Sequence, residues 1–322
     1  MSIAPQRPLA VVALGGGHGL AASLRALRRV TPHLTAVVGV SDDGGSSGRL
    51  RDEFGIVPPG DLRMALAALC GDDNWGSTWA KVLQHRFSST GQLDGHSLGN
   101  LLITALWEET GDVVAGLDWV ARLLDAKGKV LPLCIEPLEI VAQVKTELGA
   151  IEEVRGQVQV ATTVHEIQSI ALQPENPTVC QQAVAAVRDA DALVLGPGSW
   201  YTSVLTHFQV PQMSQALHET TAMRILTLNL RPQVGETDGY SATRYLEVLA
   251  TSYPNFRVDV VLADPDHVVD AAELERVAKA AGARIEWAKI ANQHGDIDQH
   301  APVELASAFA SIFAHGRIEP WQ

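Results

Sequence analysis

The chain has 322 residues, of which 46% are hydrophobic, and its 37 Asp and Glu outnumber its 24 Lys and Arg. The resulting net charge of −13 argues against a nucleic-acid groove, which needs a basic face, so we expect no nucleic-acid partner. Widely separated cysteines, no leader pattern and no long apolar run predict a cytoplasmic protein without a membrane span. The length suits one large α/β domain or two small ones, and we predict a single α/β domain over residues 1–322.

The first motif is a glycine loop between a predicted strand and a predicted helix. An apolar run over 9–14 is typical of a buried parallel strand, and leucines at helical spacing over 20–30 predict the helix. Backbone N–H groups of glycines approach an oxygen closely, and a helix N-terminus favours negative charge, so the loop suits an anion. A plain tight turn is the structural alternative. The candidate residues are Gly15, Gly16, Gly17, His18 and Gly19.

A second polar loop follows the next predicted strand, 34–40. Loops at the carboxyl ends of neighbouring parallel strands face one crevice, where open α/β sheets bind ligands. The two carboxylates suit sugar hydroxyls, or Mg²⁺ at Asp42 or Asp43, although we expect no cofactor to be required; an Asx-type turn explains the pair equally. The candidates are Asp42, Asp43, Gly44, Gly45, Ser46 and Ser47.

Polar side chains at predicted helix starts add to the same crevice. Asp61 is an expected N-cap for a helix over 62–70, and Arg63 lies in its first turn, where a cation opposes the helix dipole. Ser97 is an expected N-cap for the next apolar-periodic helix. An exposed arginine and a structural histidine are the alternatives here. The candidates are Arg49, Asp61, Arg63, His96, Ser97 and Asn100.

Two later loops complete the predicted crevice. The apolar strand 191–195 runs into a glycine loop that opens a helix with hydroxyl side chains in its first turn, which again suits an anion. A strand over 225–230 leads into a polar, glycine-bearing loop. The candidates in the first loop are Gly196, Pro197, Gly198, Ser199, Tyr201 and Thr202. Those in the second loop are Asn229, Gln233, Gly235, Glu236 and Thr237.

The rest of the pattern sets the fold class. Alternating apolar residues over 138–161 and a strand over 167–172 predict a hairpin-like, β-rich insertion over 129–172. Elsewhere predicted strands alternate with predicted helices, which is typical of a parallel sheet. We therefore predict an α/β fold with a Rossmann-like, mostly parallel sheet, helices on both faces and a small antiparallel insertion.

No pattern for catalysis stands out. The sequence has no His/Cys metal cluster, no GxSxG elbow and no nucleophile–base pair at a recognisable spacing. We therefore assign no catalytic residue and no metal ligand, and we predict binding rather than turnover.

The motifs GGGHG, SDDGGSSGRLR, PPGDLR, GHSLGNLL, GPGSWYTS and GETDGY occur in this order. Together they resemble the YvcK family of gluconeogenesis factors, which are relatives of the phospholactate transferase CofD. The resemblance implies a cytoplasmic bacterial protein that binds a UDP-sugar, notably UDP-N-acetylglucosamine. It also implies a role in cell shape and cell-wall precursor supply during gluconeogenic growth, with a protein partner in that synthesis. A homo-oligomer is a further expectation.

The sequence departs from the family at several positions. His18 stands where the family usually has Thr, Val277 where it has Tyr, and Gln299 where it has Arg. Three hypotheses therefore stay open: a regulatory nucleotide-sugar-binding protein, a CofD-like transferase that moves a phospho-acyl group, and an NAD-type dinucleotide-binding protein.

Overall fold

The computed structural model describes residues 8–293 and 298–316. Within these ranges the strands are β1 (Val11–Gly15), β2 (Leu34–Val38), β3 (Lys129–Pro132), β4 (Glu139–Lys145), β5 (Ile151–Arg155), β6 (Glu166–Gln173), β7 (Ala192–Leu195), β8 (Met223–Thr227), β9 (Val260–Ala263) and β10 (Arg284–Trp287).

The α-helices within the same ranges are α1 (Gly17–Leu27), α2 (Gly45–Phe54), α3 (Gly60–Leu69), α4 (Asn74–Gln84), α5 (Leu98–Thr110), α6 (Val113–Leu124), α7 (Gln157–Ala161), α8 (Gln181–Asp189), α9 (Thr206–Gln209), α10 (Pro211–Glu219), α11 (Ala242–Ser252), α12 (Ala271–Ala280) and α13 (Pro302–His315). A π-helical turn covers Trp200–Val204, and a 3₁₀ turn covers Pro265–His267.

A seven-stranded sheet in the order β10-β9-β8-β7-β1-β2-β3 forms the core. Every neighbouring pair in it is parallel. From β1 the chain builds outward through β2 and β3, then crosses to β7 and builds outward in the other direction. The strand order therefore reverses between β1 and β7, and this switch point opens a crevice at the carboxyl ends of the strands. The predicted α/β, mostly parallel fold is confirmed.

The central strands are buried along their whole length. All residues of β1, β7 and β9 are buried, and successive side chains of a strand point to opposite faces of the sheet. Both faces are therefore covered, which explains why these strands read as continuous apolar runs rather than alternating ones. No helix in the described ranges is long and apolar enough to cross a membrane.

The small sheet has the order β5-β4-β6, and its neighbouring pairs are antiparallel. We expected the β-rich insertion to begin at residue 129, but β3 pairs in parallel with β2 and is the edge strand of the main sheet. The antiparallel sheet therefore begins at Glu139. The two-residue period was also extended too far, because Gly156 with φ 88° ends β5 and α7 follows.

Candidate functional site

An open cleft of about 440 Å³ lies over the switch point of the main sheet. Helix α1, which begins at Gly17 inside the predicted glycine loop, and the loops that follow β7 and β8 form its walls, together with residues 298–300. Six of the predicted site residues line it: His18, Gly19, Pro197, Gly198, Asn229 and Gln233. Arg25, Arg231, Gln299 and His300 also line it, and the sequence-based candidate set did not contain them.

The first turn of α1 and the loop that follows β7 touch each other at the cleft. A Cβ atom on Gly19 would lie 2.1 Å from the carbonyl oxygen of Pro197 and 2.5 Å from Cα of Gly198. Such a contact excludes any side chain, so Gly19 is required for α1 and this loop to meet. Gly198 itself has φ 132°, a conformation that favours glycine.

Asn229 fixes the backbone of Gly198. Its Oδ1 accepts from the Gly198 N–H at 2.7 Å, and its Nδ2 donates to the Gly198 carbonyl at 2.9 Å. One side chain thus satisfies both the backbone N–H and the backbone carbonyl of Gly198. The Gly198 loop is held in a defined position at the wall of the cleft.

The π-helical turn after the third loop already holds a carboxylate. Oε2 of Glu236 accepts from the backbone N–H groups of Tyr201 at 2.9 Å and Thr202 at 3.4 Å. Oε1 accepts from the Thr202 hydroxyl. Glu236 is 4% exposed, and burial raises the pKa of its carboxyl. The amides that we predicted to face an anion are therefore occupied by the chain's own side chain.

The neighbouring predicted residues support this arrangement. Thr237 is buried, and its hydroxyl oxygen accepts from the backbone N–H of Gln233 at 2.8 Å. The Gln233 side chain donates to Oγ of Ser199 at 3.2 Å. A Cβ atom on Gly235 would lie 2.1 Å from the carbonyl oxygen of Ala161, so this loop packs closely on α7.

Asp61 lies beside the glycine loop rather than at a helix cap. The N-cap of α3 is Pro59, so the predicted Asp61 cap is wrong, and Asp61 belongs to the first turn of the helix. The Gly17 N–H donates to Asp61, and a Cβ atom on Gly16 would lie 2.4 Å from its Oδ2. Burial, together with the charge of Asp42, raises the pKa of Asp61 to about 7.

Asp42 and Asp43 make separate structural contacts. Oδ1 of Asp42 accepts from the Gly44 N–H at 3.0 Å, which is the Asx-type turn considered as an alternative. Burial raises the pKa of Asp42. Oδ1 of Asp43 accepts from the Val158 N–H at 3.0 Å and ties this loop to α7. Among the residues that the structure describes, no three His, Cys, Asp or Glu side chains are grouped to hold a metal ion.

Helix α2 begins earlier in the chain than predicted. We predicted a loop through residue 48, but α2 begins at Gly45, so Ser46 and Ser47 lie in its first turn. Oγ of Ser47 accepts from the Gly60 N–H at 2.9 Å. The Ser46 oxygen accepts from Nδ2 of Asn100 at 3.1 Å.

These serines belong to a buried polar cluster around Arg63, which is 3% exposed. Nε of Arg63 donates to Oδ1 of Asn100 at 2.8 Å, and its Nη1 donates to Oε1 of Gln84. Burial lowers the pKa of Arg63 to about 10. Nδ1 of His96 lies 3.0 Å from Oγ of Ser46 on the far side of the cluster. The alternative of an exposed Arg63 is therefore wrong.

Two further predicted residues have structural roles. Ser97 occupies the N-cap position of α5, as predicted, but its hydroxyl donates to the Leu83 carbonyl at 2.8 Å and makes no capping hydrogen bond. Arg49 is exposed and donates to the Asp94 carbonyl at 2.8 Å. The predicted site thus divides into the cleft and a buried polar scaffold beneath and beside it.

The arginines that line the cleft are not the predicted ones, Arg49 and Arg63. Arg25 lies on α1, two turns beyond the glycine loop, and Arg231 follows β8. Nε of Arg231 lies 2.6 Å from Oδ1 of Asp298. In the sequence, Arg25 falls on the polar side of an amphipathic helix. Such a position faces either a ligand or solvent, and the pattern alone does not tell which. Gln299 lines the cleft, whereas Val277 packs against the hydrophobic core.

Comparisons with known proteins agree with this architecture. The family model described as 2-phospho-L-lactate transferase CofD matches residues 11–297. A putative gluconeogenesis factor of Mycobacterium leprae is 46% identical over 316 residues, which cover 96% of this chain and 88% of that protein. The gluconeogenesis factor of Halalkalibacterium halodurans is 38% identical over 260 residues, 81% of this chain and 79% of its own. A crystal structure of a UPF0052 family member from Bacillus halodurans matches with a TM-score of 0.84 and 33% identity, covering 94% of this chain and 99% of that one.

The parallel sheet with its loops gathered at the switch point defines an α/β protein of the Rossmann-like class. Within that class, the chain belongs to the CofD family and is similar to its gluconeogenesis factors. The relationship predicted from the sequence motifs is confirmed.

Proposed function

We propose that the chain binds a nucleotide-sugar of the UDP-N-acetylglucosamine type in the cleft over the switch point. In this proposal it is a regulatory protein of the bacterial cytoplasm that supports cell-wall precursor supply and cell shape during gluconeogenic growth. A partner protein in that synthesis binds the ligand-bound and ligand-free forms of the chain differently. The names of the curated relatives support the metabolic setting.

The observation that carries the ligand class is the composition of the cleft walls. A volume of about 440 Å³ lies within the range of roughly 300–1,000 Å³ that small-molecule sites occupy. One wall is glycine backbone held by Asn229, which lets a ligand approach closely. Arg25 and Arg231 line the cleft together with Asp298, which pairs with Arg231, and the net positive charge that remains suits a diphosphate. The side chains of Gln233 and Gln299 add neutral polar groups suited to a sugar or a base.

A second candidate is a CofD-like transferase, and one observation favours it. Asp61 contacts the glycine loop next to the cleft, and its pKa of about 7 suits a group that accepts a proton at neutral pH. In such a reaction Asp61 would take the proton of the acceptor hydroxyl as its oxygen forms a bond to the activated phosphate. The bond from that phosphate to the nucleoside monophosphate would break, and the nucleoside monophosphate would leave. The family description supports the same reading.

Calorimetric titration with UDP-N-acetylglucosamine, UDP, GDP and NAD separates the hypotheses. We expect UDP-N-acetylglucosamine to bind and NAD not to bind, with less than about a tenfold change in affinity when a chelator removes Mg²⁺. Binding of NAD with no binding of the UDP-sugar would replace the proposal with the dinucleotide hypothesis. Turnover of a nucleotide-activated donor that disappears in Asp61→Asn would instead establish the transferase.

A further inference from the structure

A second cavity, of about 300 Å³, lies at the other end of α1 from the glycine loop. Residues of α1, α3 and α4 form its walls, and α13 begins at its edge. We call it the arginine pocket, because Arg25, Arg28 and Arg29 all line it. Asp72 is the carboxylate that lines the same pocket.

Two of the arginines share that one carboxylate. Nη2 of Arg28 lies 2.5 Å from Oδ1 of Asp72, and Nη2 of Arg29 lies 2.7 Å from Oδ2. The Arg28 side chain is 10% exposed, whereas the Asp72 side chain is 58% exposed. The countercharge therefore sits at the mouth of the pocket, and solvent screens it more than it screens Arg28.

Arg28 is left incompletely satisfied. Its Nε is buried and has no hydrogen-bond partner within residues 8–293 and 298–316. A buried, unpaired donor is costly, so a native structure that keeps one needs a reason. Arg25 lies one turn earlier on α1 and is exposed, and the desolvation of its inner part, together with the charge of Arg28, lowers its pKa. The guanidinium groups of Arg25 and Arg28 thus repel each other beside an open cavity.

An anion in the pocket would give Nε of Arg28 a hydrogen-bond acceptor and would offset the repulsion between the guanidinium groups. Three guanidinium groups and one carboxylate give the lining a net charge of +2, although the whole chain carries a net charge of −13. Guanidinium groups bind phosphate oxygens in two-pronged geometry and are the usual residues at such sites. Ser77 and Gln84 on α4 are the neutral polar side chains of the lining, and Oε1 of Gln84 also accepts from Arg63.

We propose that the arginine pocket is a second anion site, separate from the cleft, which binds a small phosphorylated metabolite carrying a phosphate or diphosphate group. The volume favours such a molecule over a folded partner or a nucleic-acid strand. Arg25 lines both cavities, so the test relies on residues that belong to one of them alone.

The test is calorimetric titration of pyrophosphate at constant ionic strength, in an Arg231→Glu background that repels phosphate from the cleft. We expect Arg29→Gln and Arg28→Gln each to lower pyrophosphate affinity by about tenfold or more. Ser77→Glu, which adds a negative charge to the lining and keeps every arginine, gives the same loss. Arg155→Gln is the matched control, since Arg155 is an ion-paired arginine exposed on β5.

Circular dichroism and the melting temperature establish that each variant is folded. The Ser77→Glu and Arg29→Gln variants keep the test decisive if Arg28→Gln does not fold. Equal pyrophosphate affinity in the pocket variants and the control would overturn the proposal. So would binding that is present in the wild type but lost in Arg231→Glu alone, because that result assigns the anion to the cleft. Binding of a polyglutamate peptide but not of pyrophosphate would also overturn it.

Discussion

The side chain of Asn229 makes two hydrogen bonds to the backbone of Gly198, accepting from its N–H at 2.7 Å and donating to its carbonyl at 2.9 Å. Gly198 in turn lies against Gly19, where no Cβ atom fits. The side chain of Asn229, which follows β8, therefore holds the loop after β7, and that loop packs against the first turn of α1. This chain of contacts shapes the wall of the proposed nucleotide cleft.

Asn229→Ala should weaken both binding and stability. The two lost hydrogen bonds are worth about 1–3 kcal/mol together, at roughly 0.5–1.5 each, and the freed loop should lower UDP-sugar affinity by about tenfold. Urea unfolding and calorimetry measure the two effects. The control is Gln181→Ala, which removes an exposed amide hydrogen bond on α8. Wild-type affinity in Asn229→Ala would mean that the loop position does not matter for the ligand.

Glu236→Ala should expose the amides that its carboxylate now holds. The backbone donors of Tyr201 and Thr202 lose their partner, so the melting temperature should fall. Acetate can re-supply a carboxylate to the vacated space and should raise the melting temperature of this variant more than that of the wild type. An identical response of the two proteins to acetate, with chloride as the salt control, would refute the capping role.

Asp61→Asn should remove a pH dependence of stability. Folding raises the pKa of Asp61 from 3.8 to about 7, so the folded state binds a proton more tightly than the unfolded state. The stabilising contribution is full below about pH 4 and is lost as the pH rises through about 7. Stability of the wild type relative to Asp61→Asn should therefore decline across this window. Urea unfolding at several pH values measures it, with the exposed Asp52→Asn as control, and parallel profiles would contradict it.

Asp43→Ala should release the insertion from the cleft side of the main sheet. Its Oδ1 accepts from the Val158 N–H, and the carboxylate also lies against Gly156. Hydrogen–deuterium exchange over 156–162 should become faster in the variant, while exchange in β1 stays unchanged. Glu152→Ala on β5 is the control for a lost carboxylate in the insertion. Unchanged exchange at Val158 would show that other contacts hold α7.

The sequence was sufficient to predict the sheet and its loops, because buried parallel strands and glycine loops leave local patterns. The contents of those loops were harder to predict. No pattern near Tyr201 predicts that the carboxylate of Glu236, 35 residues later in the chain, accepts a hydrogen bond from its backbone N–H. The same limit applies to Arg63, since its burial depends on Asn100 and Gln84 in other helices. Arg231 and Arg25 were missed because charged residues on loops and polar helix faces are usually solvated.

The most direct test of the proposed function is calorimetric titration of UDP-N-acetylglucosamine into the wild type and Arg231→Glu. Arg231 lines the cleft, and its side chain is 55% exposed, so the variant should fold normally. The account predicts binding of one ligand per chain to the wild type and a loss of about tenfold or more in the variant, with Arg155→Gln unchanged. Equal affinity in all three proteins, or no binding to the wild type at millimolar ligand, would contradict it.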